Sequence, residues 1–279
     1  MKLFKNIALT LTSLLALSCG KEAQPEHIDE MLTVHYGVSV DVPTKALGDG
    51  KTANYVWYAL YRSNGTLVSE CESPAKIDIA TGTAICPVTM AKDQDYKIVF
   101  LALHYEVNGQ TKTPAYAINA QGKSVAMPAI PVANSDNYDL FYGVDDVVDF
   151  QGSQSTNVQL NRIVAQINFE LGEDTWNTLA VTSAFQSSIS ISGAPRKFDF
   201  FTSEVSDYGI TSYTKSVIPF EAGSRKIGTA YCLTPSEGQL KVEASISLYG
   251  ENGTTEVVKT ADASSVPVAI NKQTNLIIN

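Results

Sequence analysis

The chain has 279 residues, carries 20 Lys and Arg against 29 Asp and Glu, and has a formal net charge of −9 at pH 7. An acidic protein is repelled by phosphate backbones, which argues against a nucleic acid as its partner. The length exceeds the usual size of one domain, so we expect two domains.

The N-terminus has the pattern of a secretory signal. Two lysines precede an apolar run over residues 7–17, and a small serine precedes Cys19. The segment Ala16–Cys19 resembles a lipobox, which predicts a lipoprotein signal peptide over residues 1–18, a lipid on Cys19 and a polar tether over residues 19–30. A plain signal peptide cut elsewhere and a short membrane anchor are the alternatives, although the run is shorter than the ~20 residues of a bilayer span.

The next segment reads as an N-terminal β-sandwich over residues 31–150. Short β-rich runs alternate there with turn signals, and no long helical periodicity is present. In the first of these runs Val38, Val40 and Val42 alternate with polar residues, so they share one face of a strand.

Two further strands and two turns are predicted in this sandwich. The runs 55–61 and 96–105 are rich in aromatic and aliphatic residues, and Asn64–Gly65 and Asn108–Gly109 are typical of hairpins. The aromatic face of the first run, which includes Trp57, is expected to be core rather than a platform for sugars.

A second β-sandwich is predicted over residues 158–279. Residues 151–157 contain no apolar side chain before Val158 and read as a linker. We expect one strand over Val158–Leu171, a short helix within Thr175–Phe185 and a final strand over Val266–Asn279.

The cysteines leave one alternative open. Cys71 and Cys86 flank a turn-rich stretch, which suits a cross-strand disulfide in a hairpin in an oxidising compartment. Two buried free thiols are the other interpretation, because connectivity cannot be deduced from sequence. Cys232 alternates with apolar neighbours and is expected to be a core thiol.

No motif predicts catalysis, a cofactor or a metal. His27, His35 and His104 are not accompanied by an HExxH, CxxC or GxSxG pattern, and neither a P-loop nor GxGxxG occurs. An acidic cluster lacks the spacing of a calcium loop and is expected to be solvated; its members are Asp136, Asp139, Asp145, Asp146 and Asp149. We therefore expect a protein that is not an enzyme.

With these features together, the chain resembles the fimbrillin-like lipoproteins of Bacteroides-type bacteria, which are pilus subunits. The lipoprotein signal is one point of likeness, and the strand Val34–Val42 followed by Pro43–Ala46 is a second. The arginine-containing segment Leu160–Phe169 and the segment Ile270–Ile278 with its Asn-Lys-x-Thr-Asn pattern complete the set. The four features occur in the family's order over nearly the whole chain.

The resemblance implies two tandem β-sandwiches of the transthyretin-like, Greek-key type, and assembly by exchange of strands. The first strand, with Val38, Val40 and Val42, would be displaced after a cut between Lys45 and Ala46, and a strand of another subunit would replace it. Lys45 stands where the family usually has arginine, so an arginine-specific protease would not cut there. An ordinary turn residue is the alternative for Lys45.

The implied function is structural and supports adhesion. The chain would be a shaft, tip or anchor subunit, held on the outer membrane through the lipid on Cys19 or incorporated in fimbriae, with a host or bacterial surface ligand as a further partner. Little sequence follows the C-terminal motif before Asn279, which favours the anchor or tip. The rival hypothesis is a surface lipoprotein that binds glycans or proteins and does not polymerise.

Overall fold

A computed structural model describes residues 30–40, 52–152, 157–179, 185–218, 224–235, 237–249 and 257–279. Strands dominate these ranges because β-branched and aromatic residues either alternate with polar ones or fill short runs between turns. The residues from Met31 onward belong to one compact unit.

The described strands up to residue 152 begin with the alternating segment near the N-terminus. They are β1 (Met31–Val40), β2 (Tyr55–Arg62), β3 (Leu67–Glu70), β4 (Ala75–Lys76), β5 (Thr83–Ala91), β6 (Tyr96–Leu103), β7 (Tyr105–Asn108), β8 (Thr111–Pro114), β9 (Ala117–Asn119), β10 (Ser124–Ala126) and β11 (Leu140–Val147). A single turn of 3₁₀-helix, Asp136–Tyr138, precedes β11.

The remaining described elements are eight strands and one short helix. They are β12 (Asn157–Arg162), β13 (Val164–Leu171), α1 (Glu173–Leu179), β14 (Phe185–Asp199), β15 (Glu204–Ile218), β16 (Lys226–Leu233), β17 (Leu240–Tyr249), β18 (Val257–Val268) and β19 (Gln273–Ile278).

The first sheet has eight strands in the order β3-β2-β6-β11-β12-β1-β5, with β4 also paired to β2. A second sheet has the order β18-β17-β14-β10-β9, with β15 on β14, and a third has the order β16-β13-β19. The strands β7 and β8 form a separate hairpin.

The described residues form two clusters of buried apolar side chains. The smaller core draws only on residues 34–160 and includes the inward side chains of β1, β5 and β12. The larger core combines side chains of β2, β6 and β11 with those of β13, β14, β16 and β17. The central strands of the first sheet are therefore covered on both faces, which explains why β6 is apolar nearly throughout.

The hairpins predicted at Asn64–Gly65 and Asn108–Gly109 are confirmed. Gly65 has a φ of +83° and donates its N–H to the carbonyl of Arg62 at 2.8 Å, and β2 pairs with β3 beyond it. Gly109 has a φ of +63° between β7 and β8. Glycine adopts this left-handed backbone without steric cost, which is why the Asn-Gly pairs mark the turns.

Two predicted strands are interrupted in the structure. The segment Val158–Leu171 divides at Ile163, whose N–H donates to the carbonyl of Leu140 at 3.0 Å in register with the β11–β12 ladder. From Val164 onward the chain pairs with β16 instead. As a result, β12 belongs to the first sheet and β13 to the third. The expected final strand, Val266–Asn279, is likewise divided into the end of β18 and β19 by a turn.

The strand β12 follows the predicted linker at residues 151–157 and pairs with β1, so the first sheet includes strands on both sides of that linker. Residues 153–156 of the linker lie outside the described residues. The helix predicted within Thr175–Phe185 begins and ends earlier, at Glu173–Leu179, and Phe185 already starts β14. The division into two sandwiches, 31–150 and 158–279, stays a prediction.

Candidate functional site

The strand β1 inserts alternate side chains into the smaller core. Val34, Tyr36 and Val38 are at most 2% exposed, and Leu32 and Val40 are half-buried against the same core. Burial of a side chain of this size stabilises the fold by about 1.5–3 kcal/mol. The strand is thus part of the core, although it lies close to the N-terminus of the described chain.

The backbone of β1 is paired on both sides. It runs antiparallel to β5 from Met31 opposite Ala91 to Ser39 opposite Thr83. It runs parallel to β12 from Gly37 opposite Asn157 onward. If β1 were withdrawn, the facing edges of β5 and β12 would expose unpaired N–H and C=O groups, which is a template for another strand.

The buried side chains that form the smaller core together with β1 are apolar. One wall of the space that β1 fills comes from β5, the other from β12, and aromatic rings form the floor. The buried lining side chains are Ala84, Cys86 and Val88, then Val158 and Leu160, then Phe100, Phe141 and Phe150. We call this space, lined by these residues and occupied by β1, the β1 groove.

An aromatic contact lies at the centre of the β1 groove. Tyr36 stands opposite Cys86 in the ladder, and its ring centroid is 5.4 Å from that of Phe100. The ring of Phe100 is also 6.3 Å from that of Tyr58. Tilted ring pairs at these separations add stabilisation beyond the buried area.

The structure describes only part of the predicted exchange site. Val38 and Val40 lie in β1, and both face the smaller core as the alternation predicts. Cys19, Val42, Lys45 and Ala46 lie outside the described residues.

The hairpin that would join Cys71 and Cys86 is not formed. Cys71 follows β3, which pairs with β2, whereas Cys86 lies in β5, which pairs with β1. The two cysteines are therefore not cross-strand neighbours, and both are free thiols.

All three described cysteines are poor nucleophiles at neutral pH. Burial raises the pKa of Cys71 to about 11, and it raises the pKa of both Cys86 and Cys232 to about 12. The thiolate is the reactive form, so a raised pKa slows alkylation. Cys232 packs in the larger core, as its sequence pattern predicts.

A buried ion pair near the junction of β12 and β13 has no signal in the sequence. Arg162 donates from Nε to Asp139 Oδ1 at 2.6 Å and from Nη2 to Oδ2 at 2.7 Å, and both side chains are almost fully buried. The guanidinium carbon also lies 4.9 Å from the centre of the Phe141 ring. Asp139 is therefore not part of a solvated acidic face, which corrects the prediction for this member of the cluster.

The electrostatics of Asp139 reflect its burial. Burial raises the pKa of this carboxyl group, and the hydrogen bonds and the charge of Arg162 oppose the rise. The geometry is that of a bidentate arginine–carboxylate pair, which fixes the orientation of both groups.

Arg162 also contacts the turn before β19. Its Nη1 donates to Asn271 Oδ1 at 3.3 Å, and the N–H of Asn271 donates to the carbonyl of Val164. Farther along, Asn168 Nδ2 donates to Asn275 Oδ1 at 3.2 Å. The arginine-containing segment and the C-terminal Asn-Lys-x-Thr-Asn segment are thus neighbours in space.

The two described histidines are on different parts of the chain, His35 in β1 and His104 between β6 and β7. His35 is exposed on the outer face of β1, and His104 is half-buried with Nδ1 3.0 Å from the carbonyl oxygen of Thr52. Trp57 is buried against Phe200, at 5.4 Å between ring centroids, so it is core as expected. A ring in this position is not available to stack on a sugar.

Within the described ranges, no group of three or more His, Cys, Asp or Glu side chains is arranged to hold a metal. None of the described helices has the length and apolarity needed to cross a bilayer.

Comparison with known sequences gives one family. Residues 29–277 match the model of DUF6562, a family of unknown function. No curated protein matches the chain.

Solved structures with a similar course of the chain are distant in sequence. A candidate polysaccharide-binding protein of the DUF1812 type from Bacteroides thetaiotaomicron is 14% identical, with a TM-score of 0.48 over 77% of this chain and 76% of that chain. A candidate adhesin from Bacteroides ovatus is 12% identical, with a TM-score of 0.48 over 83% of this chain and 76% of that one. A fimbrial assembly protein from Parabacteroides distasonis is 12% identical, with a TM-score of 0.44 over 85% and 87% of the two chains.

Proposed function

The chain belongs to the DUF6562 family of unknown function, and we propose that it is a structural subunit of a bacterial surface fimbria that supports adhesion. In this proposal the subunit assembles when β1 is released by proteolysis and a strand of another subunit enters the β1 groove. The observation that carries the proposal is the position of β1, which fills a core from between two strands of the first sheet.

The chemistry of the β1 groove supports this role. A strand is held there by a backbone ladder, which does not depend on sequence, and by alternate apolar side chains, which do. A strand of another chain can supply both the backbone ladder and the apolar side chains. A single covalent connection, residues 41–54, joins β1 to β2, so one cut there separates β1 from the body. An intact peptide bond keeps β1 at a high local concentration, and a cut would remove that advantage.

The proposal includes the N-terminal segment. Cys19 would carry the lipid that holds the chain on the outer membrane, and a cut between Lys45 and Ala46 would separate the lipid and β1 from the body. A subunit that is not cut would remain as an anchor, and a cut subunit would join the fibre as shaft or tip. No catalytic role is proposed.

The test is to treat the purified mature protein with a lysine-specific protease. We expect loss of residues 19–45, shown by mass spectrometry, followed by larger assemblies in light scattering and electron microscopy. The control is a variant with both Lys45→Gln and Lys51→Gln, because Lys51 lies in the same segment between β1 and β2, and it should keep β1 and stay small under the same conditions.

Two results would change the proposal. Removal of β1 without assembly under any condition would contradict polymerisation and favour a binding module that stays monomeric. A Lys45 bond that resists every lysine-specific protease in the folded protein would contradict the shaft and tip roles.

A further inference from the structure

The inward positions of β1 are not equivalent. Leu32 and Val40 are half-buried at the two ends, whereas the three positions between them are buried. Of the three, Tyr36 alone carries a ring, and it has valines two residues before and after it.

The residues of β5 that face β1 also differ in size along the strand. Val34 stands opposite Val88, Val38 stands opposite the small Ala84, and Tyr36 stands opposite Cys86. Cys86 leaves room beside the ring, and Phe100 provides an aromatic surface for it at 5.4 Å. The position that faces Cys86 is therefore a site for an aromatic ring.

An aliphatic side chain at this position would leave part of the site empty. Large-to-small replacement in a core loses both the transfer free energy of the missing atoms and the contacts around the cavity. A ring moved by two residues would instead meet Val88 while the space at Cys86 stayed unfilled, and overpacking is also unfavourable.

We propose that the β1 groove selects an incoming strand with an aromatic side chain at the position facing Cys86 and β-branched side chains two residues before and after it. The occupant is a segment of another fimbrial subunit that runs antiparallel to β5, and this inference rests on the proposed function. The strand β19 of this chain has no aromatic residue in its six positions and carries Thr274, Leu276 and Ile278 on its inner face. A second copy of β19 is accordingly a poor occupant of the groove.

The experiment measures strand exchange in the full mature chain. A sequence-specific protease site placed at residues 43–47 is cut so that β1 stays bound without a covalent link. Synthetic peptides then compete with β1, and its release is followed by mass spectrometry of the intact complex. The reference peptide has the sequence of residues 31–40.

A matched control peptide exchanges the residues at positions 34 and 36, so that composition, length and alternation are unchanged. We expect this peptide, and a Tyr36→Leu peptide, to displace β1 at least about tenfold less well than the reference peptide. A peptide that carries the residues of β19 at the inward positions should behave like the Tyr36→Leu peptide.

The outcomes separate the two proposals. Equal displacement by the reference peptide and the exchanged peptide would overturn the aromatic selection and leave strand exchange intact. Failure of every peptide, including the reference peptide, to enter the groove of the cut chain would overturn the proposed function itself. Stronger displacement by the β19-like peptide than by the reference peptide would also contradict the selection.

Discussion

The strands β1 and β19 are related in position, and yet they are held in different ways. Each is paired in parallel with one of two consecutive strands, β1 with β12 and β19 with β13. The strand β1 also has β5 on its other side, and it buries three side chains. The strand β19 lies at the edge of its sheet, and none of its side chains is fully buried.

The difference shows what each strand depends on. The strand β1 is stabilised by the fit of apolar side chains in the β1 groove. The strand β19 packs only the half-buried Leu276 and Ile278 against the larger core. Polar side chains add contacts between β19, the turn before it and the body, among them Arg162 with Asn271 and Asn168 with Asn275. A groove of the first kind can discriminate between strands by side-chain size, whereas a polar attachment fixes register and orientation.

The largest expected difference follows from placing a charge at the inward face of each strand. Val38→Asp should lower the free energy of unfolding by about 4 kcal/mol or more, because a carboxylate would be buried without a partner. Leu276→Asp should cost only about 1–2 kcal/mol, because the side chain is half-buried at a sheet edge and water can reach the carboxylate. Urea denaturation of both variants measures the comparison.

A control for this pair is His35→Asp, which changes the exposed face of β1. We expect a change within about 0.5 kcal/mol. Equal losses for the variants at Val38 and Leu276 would show that the two strands are not held differently.

The next effect concerns the buried pair that positions the turn before β19. Arg162→Met should lower the free energy of unfolding by about 3–5 kcal/mol, because it leaves the buried carboxylate of Asp139 unpaired. The double variant Arg162→Met with Asp139→Leu should recover most of this loss, since no charge then remains buried.

The exposed pair of Arg196 and Asp207, at 3.0 Å, serves as the matched comparison. Arg196→Met should cost at most about 1 kcal/mol. A double variant of the buried pair that is no more stable than Arg162→Met alone would show that the loss comes from packing of the arginine rather than from the unpaired charge.

A smaller loss of stability is expected at Asn271, where two substitutions distinguish the contribution of the side-chain hydrogen bond from that of the backbone conformation. This residue has a φ of +54°, a conformation that asparagine and glycine tolerate better than alanine. Asn271→Gly should cost about 1 kcal/mol through loss of the hydrogen bond from Arg162, and Asn271→Ala should cost about 1 kcal/mol more through backbone strain. Thermal or urea unfolding of the two variants checks the order, and a larger loss for glycine would contradict it.

The sequence was informative where the pattern is local. The alternation at Val38 and Val40 placed both side chains on the core face of β1, and the Asn-Gly pairs marked two hairpins correctly. The apolar residues near Trp57 and near Cys232 in the chain correctly predict that both side chains belong to the core. Each of these predictions depends only on residues a few positions apart.

Contacts between distant segments could not be predicted in this way. Nothing near Asp139 in the sequence indicates that Arg162 neutralises it, and an acidic neighbourhood instead suggested a solvated face. At Ile163 the alternation changes phase, from Val158 and Leu160 at even positions to Ile163 and Ala165 at odd positions, but this local change does not show that the chain passes there from one sheet to another. The pairing of Cys86 with β1 rather than with the segment near Cys71 is also set by the fold as a whole.

In the proposed assembly, β1 leaves the β1 groove and is replaced while the rest of the body stays folded. Cys86 reports on this directly, because it faces Tyr36 in the groove, and Cys232 in the larger core is the internal reference. In the uncut chain at pH 8 both thiols should resist alkylation by iodoacetamide, since they are buried and their pKa values are raised to about 12.

The decisive measurement compares the alkylation rates of these two cysteines, by mass spectrometry, after a cut between residues 43 and 47. We expect Cys86 to react roughly tenfold faster or more once β1 can dissociate. Excess peptide of residues 31–40 should protect Cys86 again, and Cys232 should stay protected throughout. If Cys86 stays as slow as Cys232, or if both become reactive together, then β1 is not a replaceable strand in this protein.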